Sequence, residues 1–169
     1  MDQAAPGEVG TDDARAFVEE AYRSRGDDED IEHPLAVGRL LRDDGQPPEL
    51  VTAGLLHDIL EDTDVSASEL RERFGPEVTR IVEALTQDPS ISGYEERKSA
   101  LRRQILDAGR DAATVALADK AAKIGSLRSP PREDQLEHYR ATLEGIEERY
   151  GRSALSERAR AELERLPPA

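Results

Sequence analysis

The segment Gly54 to Asp64, GLLHDILEDTD, sets an imidazole and several carboxylates among leucines and an isoleucine. On a helical wheel of about 100° per residue with His57 at 0°, Asp58 falls at about 100°, Glu61 at about 40° and Asp62 at about 140°. Leu55, Leu56, Ile59 and Leu60 take the other side, so four ionisable groups share one face. Two kinds of surface fit that pattern: the solvated side of an amphipathic helix, or part of a metal centre. Further donors for the second are His33, in Glu32-His33-Pro34, and Asp119, in VALADKAAKIG from Val115 to Gly125. An isolated carboxylate is costly to bury unpaired in so apolar a run. Two imidazoles and two carboxylates from three helices can close on one divalent ion and leave positions open for water. Mixed nitrogen and oxygen donors suit Mn²⁺, Fe²⁺, Co²⁺, Ni²⁺ or Zn²⁺ better than Ca²⁺ or Mg²⁺.

The elements that must position these residues are helical. Aromatic residues make up 4% of the chain, and no window alternates apolar and polar residues between turn signals as a strand would. Thr11 or Asp12 can cap a first helix to about Arg25, with Phe17, Val18 and Tyr22 on its apolar side. A second helix is expected to start near His33-Pro34 and run through Leu41, stopped by Asp43-Asp44-Gly45, and a third, opened by Pro47-Pro48, from about Glu49 to Glu61. Ser66 with Glu69 reads as a capping box for a short helix ending near Gly75, and Pro76 opens the next. Helices over about 94–107, 111–127, 133–150 and 154–166 complete an all-α fold of about eight helices. Residues 1–10 are expected to be loosely ordered, and residues 11–169 to form one domain.

Composition narrows the partners. The 169 residues carry 23 Lys plus Arg against 37 Asp plus Glu, a formal net charge of −14. Nucleic acid and anionic membrane surfaces would be repelled by that balance, so neither is expected as a partner. A small phosphorylated molecule is not excluded, because a bound cation and a few basic side chains can reverse the field within one cleft. Cysteine is absent, which removes disulfides, thiolate metal sites and cysteine nucleophiles. No apolar stretch is long enough to span a bilayer, and Met1 to Asp13 lacks the basic start and apolar run of a signal peptide. A cytoplasmic protein is the expectation, with assembly of copies through helix faces left open.

The order His33, His57-Asp58, Asp119 resembles the HD superfamily of metal-dependent phosphohydrolases. The segments HPLAVGRLL, AGLLHDILEDTDV, FGPEV, LTQDPSISGYEERK and ALADK more closely resemble the alarmone hydrolases, over roughly residues 15 to 145. That resemblance implies a helical HD domain and hydrolysis of the 3′-pyrophosphate of guanosine tetra- or pentaphosphate. By matching positions, it implies that His33, His57, Asp58 and Asp119 are metal ligands, with Mn²⁺ the usual ion. It further implies that Glu61 and Asp62 orient and deprotonate the attacking water. The chemistry agrees, since a metal lowers the pKa of water and a carboxylate one helical turn away can take the proton.

On the substrate side the resemblance points to Lys98, within YEERK, and to Lys120 and Lys123 after the metal-binding Asp, with Arg23 a further cation. Two departures stand out. The family's basic loop before the first metal-binding His is here the shorter, acidic Arg23 to Glu32, and the family's Asn one turn after Asp119 is replaced by Lys123. Lys123 can hold a phosphate as a point charge or pair with Asp119 at i+4. These departures keep two alternatives alongside alarmone hydrolysis: an HD phosphatase for another nucleotide or phosphate monoester, and a catalytically weak nucleotide-sensing or assembly module. His138, beside the Leu136, Tyr139 and Leu143 stripe, reads as a packing or surface residue.

Overall fold

A computed structural model describes residues 8–167. Among these residues there are ten α-helices, one short 3₁₀ turn and no strand. Contacts divide the chain into two compact units, Met1–Thr86 and Gln87–Ala169.

The first unit holds α1 (Glu8–Arg23), the 3₁₀ turn Asp28–Ile31, α2 (Glu32–Asp43), α3 (Pro48–Leu56), α4 (Ile59–Asp62), α5 (Ala67–Phe74) and α6 (Pro76–Ala84). The first helix starts at Glu8, ahead of the expected cap at Thr11 or Asp12. The rest of the expected loose N-terminus, residues 1–7, lies outside the described residues. At its centre is α3, whose residues from Leu50 to Leu56 are all buried and which packs against α1, α2 and α6. Such a helix has no polar stripe to offer solvent, as its run of Leu, Val, Ala and Gly requires.

Only four residues, Asp44 to Pro47, separate α2 from α3, so the two helices form an antiparallel hairpin. Its faces close on glycine. A Cβ on Gly54 would stand 2.3 Å from Leu41 Cδ1, and one on Gly38 would stand 2.7 Å from Leu55 Cδ2. Closed that way, the hairpin brings His33, in the first turn of α2, beside His57, just past the end of α3.

The expected continuous helix from Glu49 to Glu61 is interrupted. After Leu56 the chain makes a turn at His57–Asp58 and restarts as the one-turn α4. The His57 amide reaches back three residues to the Gly54 carbonyl at 3.5 Å, and Asp58 sits at φ −101°, ψ −1°, a region sparsely populated outside turns and active sites. No glycine or proline marks this break, so local sequence gives no sign of it. It changes the wheel: His57 turns into the core, Asp58 is half-buried, and Glu61 and Asp62 are exposed.

Beyond α4, the Ser66 hydroxyl caps α5 by accepting from the Glu69 amide at 3.1 Å. Gly75, at φ +89°, turns the chain into α6, a conformation that favours glycine. The Phe74 ring meets Phe17 of α1 edge-on with centroids 5.4 Å apart, and the Arg73 guanidinium covers Phe17.

The second unit holds α7 (Tyr94–Ala108), α8 (Arg110–Gly125), α9 (Glu133–Tyr150) and α10 (Ala154–Arg165). The α7–α8 turn is made by Gly109, at φ +111°. Leu101, Ile105, Val115, Leu117, Ile124, Leu143, Ile146 and Leu155 form its core. Because α8 packs against α7, α9 and α10, most of its surface is covered, and Ala112 to Ala121 are buried except Thr114. Asp119 and Lys120 are therefore buried, at 7% and 8% exposure.

Candidate metal centre

In the first unit, one donor atom from each of His33, His57 and Asp58 lies within 4.8 Å of the others. His57 Nε2 is 3.1 Å from Asp58 Oδ2, and His33 Nε2 is 3.9 Å from the same oxygen. The two rings meet edge-on with centroids 5.2 Å apart. His57 is 1% exposed, whereas His33 and Asp58 are half-buried, so the group has a closed side and an open side.

The backbone fixes the tautomer of His57. Its Nδ1–H donates to the Gly54 carbonyl at 2.7 Å, because a carbonyl can only accept. In the neutral ring Nε2 then carries a lone pair, directed at a carboxylate oxygen that also only accepts. A cation between or beside them would satisfy two such acceptors at 3.1 Å. A backbone carbonyl bonded to the far imidazole nitrogen is the usual support of a metal-binding histidine. The donor set fits a divalent ion of the Mn²⁺ to Zn²⁺ group, as its mixed nitrogen and oxygen chemistry requires.

Downstream of these donors, α4 carries the acidic pair Glu61 and Asp62. Tyr22 of α1, 2% exposed, donates its hydroxyl to Asp62 Oδ2 at 2.7 Å. Arg25 donates to the Asp62 backbone carbonyl. The Asp62 carboxyl lies above the ordinary carboxylate range, chiefly through loss of solvent at the partly buried Tyr22 contact. The Asp58 and Asp30 charges push the same way, while the Tyr22 hydrogen bond and His57 oppose them. Burial and the Asp62 contact drive the Tyr22 hydroxyl far above its usual value, so it is a permanent donor.

Arg23 is exposed and pairs with Glu20 at 3.7 Å, so of the cations in the altered loop it is Arg25 that reaches the ED pair. Asp28, Glu29 and Asp30 are exposed. A cavity of about 520 Å³ between α1 and α5, lined by Phe17, Ser24, Arg25 and Arg73 among others, is bordered by none of the donor residues.

In the second unit, Asp119 accepts from Lys120 Nζ at 2.7 Å, with both side chains buried. Lys120, one of the cations expected on the substrate side, is thus engaged with Asp119. Lys98 Nζ donates to Gln87 Oε1 at 3.1 Å and lies 5.6 Å from the centre of the Tyr94 ring. Arg97 and Arg132 approach the same ring at 5.9 and 5.3 Å, and the Lys123 charge acts on both Tyr94 and Tyr139. These cations gather around one aromatic ring, and Arg132 also pairs with Asp134 at 3.1 Å. Tyr94 opens the YEERK segment, and no local pattern in the sequence marks Arg132.

His138 is buried, as a packing residue should be, and Arg102 Nη1 donates to its Nδ1 at 2.9 Å. Burial, with Lys120, Lys98 and Arg102 nearby, pushes its pKa down to about 3 from an ordinary 6.5. The unfolded chain therefore binds a proton that the folded chain refuses, and stability falls as pH drops from 6.5 toward 3. Thermal unfolding from pH 7 to pH 4 should show this fall, and His138→Gln should flatten the slope. Equal slopes for the two proteins would contradict the assignment.

The HD domain family model matches residues 14–144. The chain belongs to this family. The match contains every metal-ligand candidate, from His33 to Asp119. Among curated HD relatives, the chain is 34% identical over 117 residues to a GTP pyrophosphokinase of Streptomyces coelicolor, covering 68% of this chain and 14% of that protein. It is 38% identical over 102 residues to the guanosine-3′,5′-bis(diphosphate) 3′-pyrophosphohydrolase MESH1 of Danio rerio, covering 57% of this chain and 54% of that one. The chain thus spans between one seventh and just over half of the length of these relatives. Its fold is similar to the solved structure of a metazoan ortholog of SpoT that hydrolyzes ppGpp, with a TM-score of 0.78 at 19% identity, covering 96% of this chain and 97% of that one.

Proposed function

We propose that this HD domain is a metal-dependent phosphohydrolase that removes the 3′-pyrophosphate of guanosine 3′,5′-bis(diphosphate). The observation that carries the proposal is the convergence of His33, His57 and Asp58 within 4.8 Å, with the His57 tautomer set by Gly54 and an acidic pair on the next turn. The relatives named for that reaction support it.

In this proposal His33, His57, Asp58 and Asp119 hold one divalent ion, Mn²⁺ being the expected one. The ion supplies Lewis acidity, lowering the pKa of water and offsetting phosphate charge. Glu61 and Asp62 orient the attacking water and accept its proton. Hydroxide adds to the phosphorus on the ribose 3′ oxygen, the P–O3′ bond breaks, and O3′ leaves with a proton. The products are GDP and pyrophosphate. Lys98, Lys120 and Lys123, with Arg97 and Arg132 near the Tyr94 ring, offer positive charge to the substrate's phosphates, and Arg23 is a further cation.

A second substrate reading has its own observation. The exposed Asp28, Glu29 and Asp30 stand where alarmone hydrolases carry basic residues, and Asp30 lies close enough to Asp62 to raise its pKa. That charge favours a substrate with fewer phosphates. Turnover of ppGpp, pppGpp, nucleoside mono-, di- and triphosphates and NADPH by Mn²⁺-loaded protein separates the two. The leading proposal expects kcat/KM for ppGpp to exceed every other member of the panel. A faster monoester or mononucleotide would replace it with the second reading.

A further inference from the structure

The acidic pair rides on a helix that cannot hold itself. A single four-residue turn is far below the length at which a helix is stable alone, and its last carbonyls lack partners within it. Part of the answer is local: Thr63 Oγ1 donates to the Ile59 carbonyl at 2.6 Å and accepts from the Val65 amide at 3.2 Å. The remainder comes from α1 and the turn that follows it, 37 to 40 residues earlier in the chain. Arg25 donates to the Asp62 carbonyl, and the Tyr22 hydroxyl donates to the Asp62 carboxylate.

The Tyr22 ring is core, 2% exposed, and sequence periodicity places it there as an apolar residue. Its hydroxyl is the part that packing does not explain. A phenylalanine would fill the same space without a polar group that needs a partner. The partner is a carboxylate oxygen at 2.7 Å, the short range of hydrogen bonds to charged acceptors. Because Tyr22 lies within a sixteen-residue helix and its ring is immobilised by burial, the direction of this bond is fixed by the fold. An exposed aspartate has several rotamers, and one accepting from a fixed donor has its Oδ2 tethered.

We infer that Tyr22 is a positioning residue for the hydrolytic step, tethering Oδ2 of Asp62 through its hydroxyl so that the other carboxylate oxygen is presented to water. The inference rests on the proposed hydrolase activity, in which Asp62 works on water. Tyr22 itself touches neither substrate nor metal in this account. Arg25 performs the matching task on the backbone, fixing the end of α4 while Tyr22 fixes the side chain.

The test is Tyr22→Phe, which keeps the ring and removes one oxygen, measured in the full chain loaded with Mn²⁺. The expected result is a fall in kcat of roughly tenfold, with KM within about twofold of wild type and with equal bound manganese, as suits an interaction exerted in the transition state. A double-mutant cycle with Asp62→Asn assigns the effect. Tyr22→Phe should change kcat by less than about twofold once Asp62 is already Asn, because both substitutions remove one coupling. If Asp62→Asn leaves no measurable turnover, the acid limb of the kcat profile decides. Asp62 faces Tyr22, Asp58, His57, Asp30 and, through its carbonyl, Arg25. Of these, the Tyr22 hydroxyl favours the ionised carboxylate, so its removal moves that limb to higher pH. An unchanged kcat, an equal loss in both backgrounds, or an unmoved limb overturns the inference while leaving the hydrolase proposal standing. A wild type inactive toward every nucleotide of the panel overturns both.

Discussion

His57→Ala removes metal and turnover together. His57 is the most buried member of the donor group, and it is held from behind by the Gly54 carbonyl. Alanine deletes the ligand and leaves that carbonyl without its donor. The remaining donors of the first unit, His33 and Asp58, are half-buried and therefore hydrated, which weakens their grip on an ion. We expect bound manganese to fall below about one-tenth of wild type and kcat/KM to fall by at least ~10³-fold, the scale of losing metal-assisted water activation. Alanine also opens a cavity beside Leu56 and Ile59, which costs about 2–4 kcal/mol by the usual large-to-small rule. For that reason His57→Gln belongs beside it, since it fills most of the space. Circular dichroism and thermal unfolding separate folding from ligation. Metal analysis by mass spectrometry then shows whether activity follows the ion. Retention of both metal and turnover in a folded His57→Gln protein would contradict the assignment.

Glu61→Gln and Asp62→Asn should do the opposite to metal and nearly the same to rate. Both residues are exposed on α4, so neither substitution opens the core. Each replaces a proton acceptor by an amide of the same shape. We expect manganese content and KM to stay within about twofold, while kcat falls by about 10²–10⁴-fold, the range for removing a positioned general base. The two need not be equal. Asp62 is held by Tyr22 and Arg25 and its carboxyl already lies above the ordinary carboxylate range, which brings a base nearer to working pH. Asp62→Asn is therefore expected to be the more damaging. The same feature sets a pH dependence: activity falls on the acid side as Asp62 is protonated, at a higher pH than an ordinary aspartate would give. Steady-state kinetics between pH 5 and pH 9 reads both effects.

The contrast between these two predictions follows the line between what the sequence shows and what only the structure shows. The order of donors along the chain is legible: His33 ahead of a helix, His57-Asp58 in an apolar run, and Asp119 in another. Residue chemistry and helical periodicity raise them as candidate donors beside the alternative of a solvated helix face, because burying charged groups in apolar segments requires a reason. The all-α architecture is legible for similar reasons. Pro48 and Pro76 open helices where expected, and Ser66 caps one. The interruption at His57–Asp58 is not legible. Local propensity favours continuing the helix, whereas the His57 amide reaches the Gly54 carbonyl and Asp58 takes a turn conformation. With the interruption goes the wheel arithmetic, which put His57 and Glu61 on one side although the first is core and the second is exposed.

Tyr22 illustrates a different limit. Its place in the apolar stripe is correct, and the hydroxyl's partner is forty residues away, beyond the reach of any local pattern. Arg25 and Arg23 are equivalent cations by sequence. Only the turn after α1 makes one of them meet Asp62 and leaves the other with Glu20. Lys120 likewise cannot be distinguished from Lys98 or Lys123 by sequence, yet the fold buries it against Asp119. The net charge of −14 conveys none of this, because it sums the charges and says nothing of where each one lies.

The most direct test of the account is product analysis of ppGpp incubated with the full chain, first stripped of metal and then loaded with Mn²⁺. The account predicts GDP and pyrophosphate in equal amounts from the loaded protein and neither from the stripped one, with His57→Gln silent in both states. Hydrolysis that persists without metal, or a loaded protein that binds manganese through His57 and leaves ppGpp intact, would contradict it.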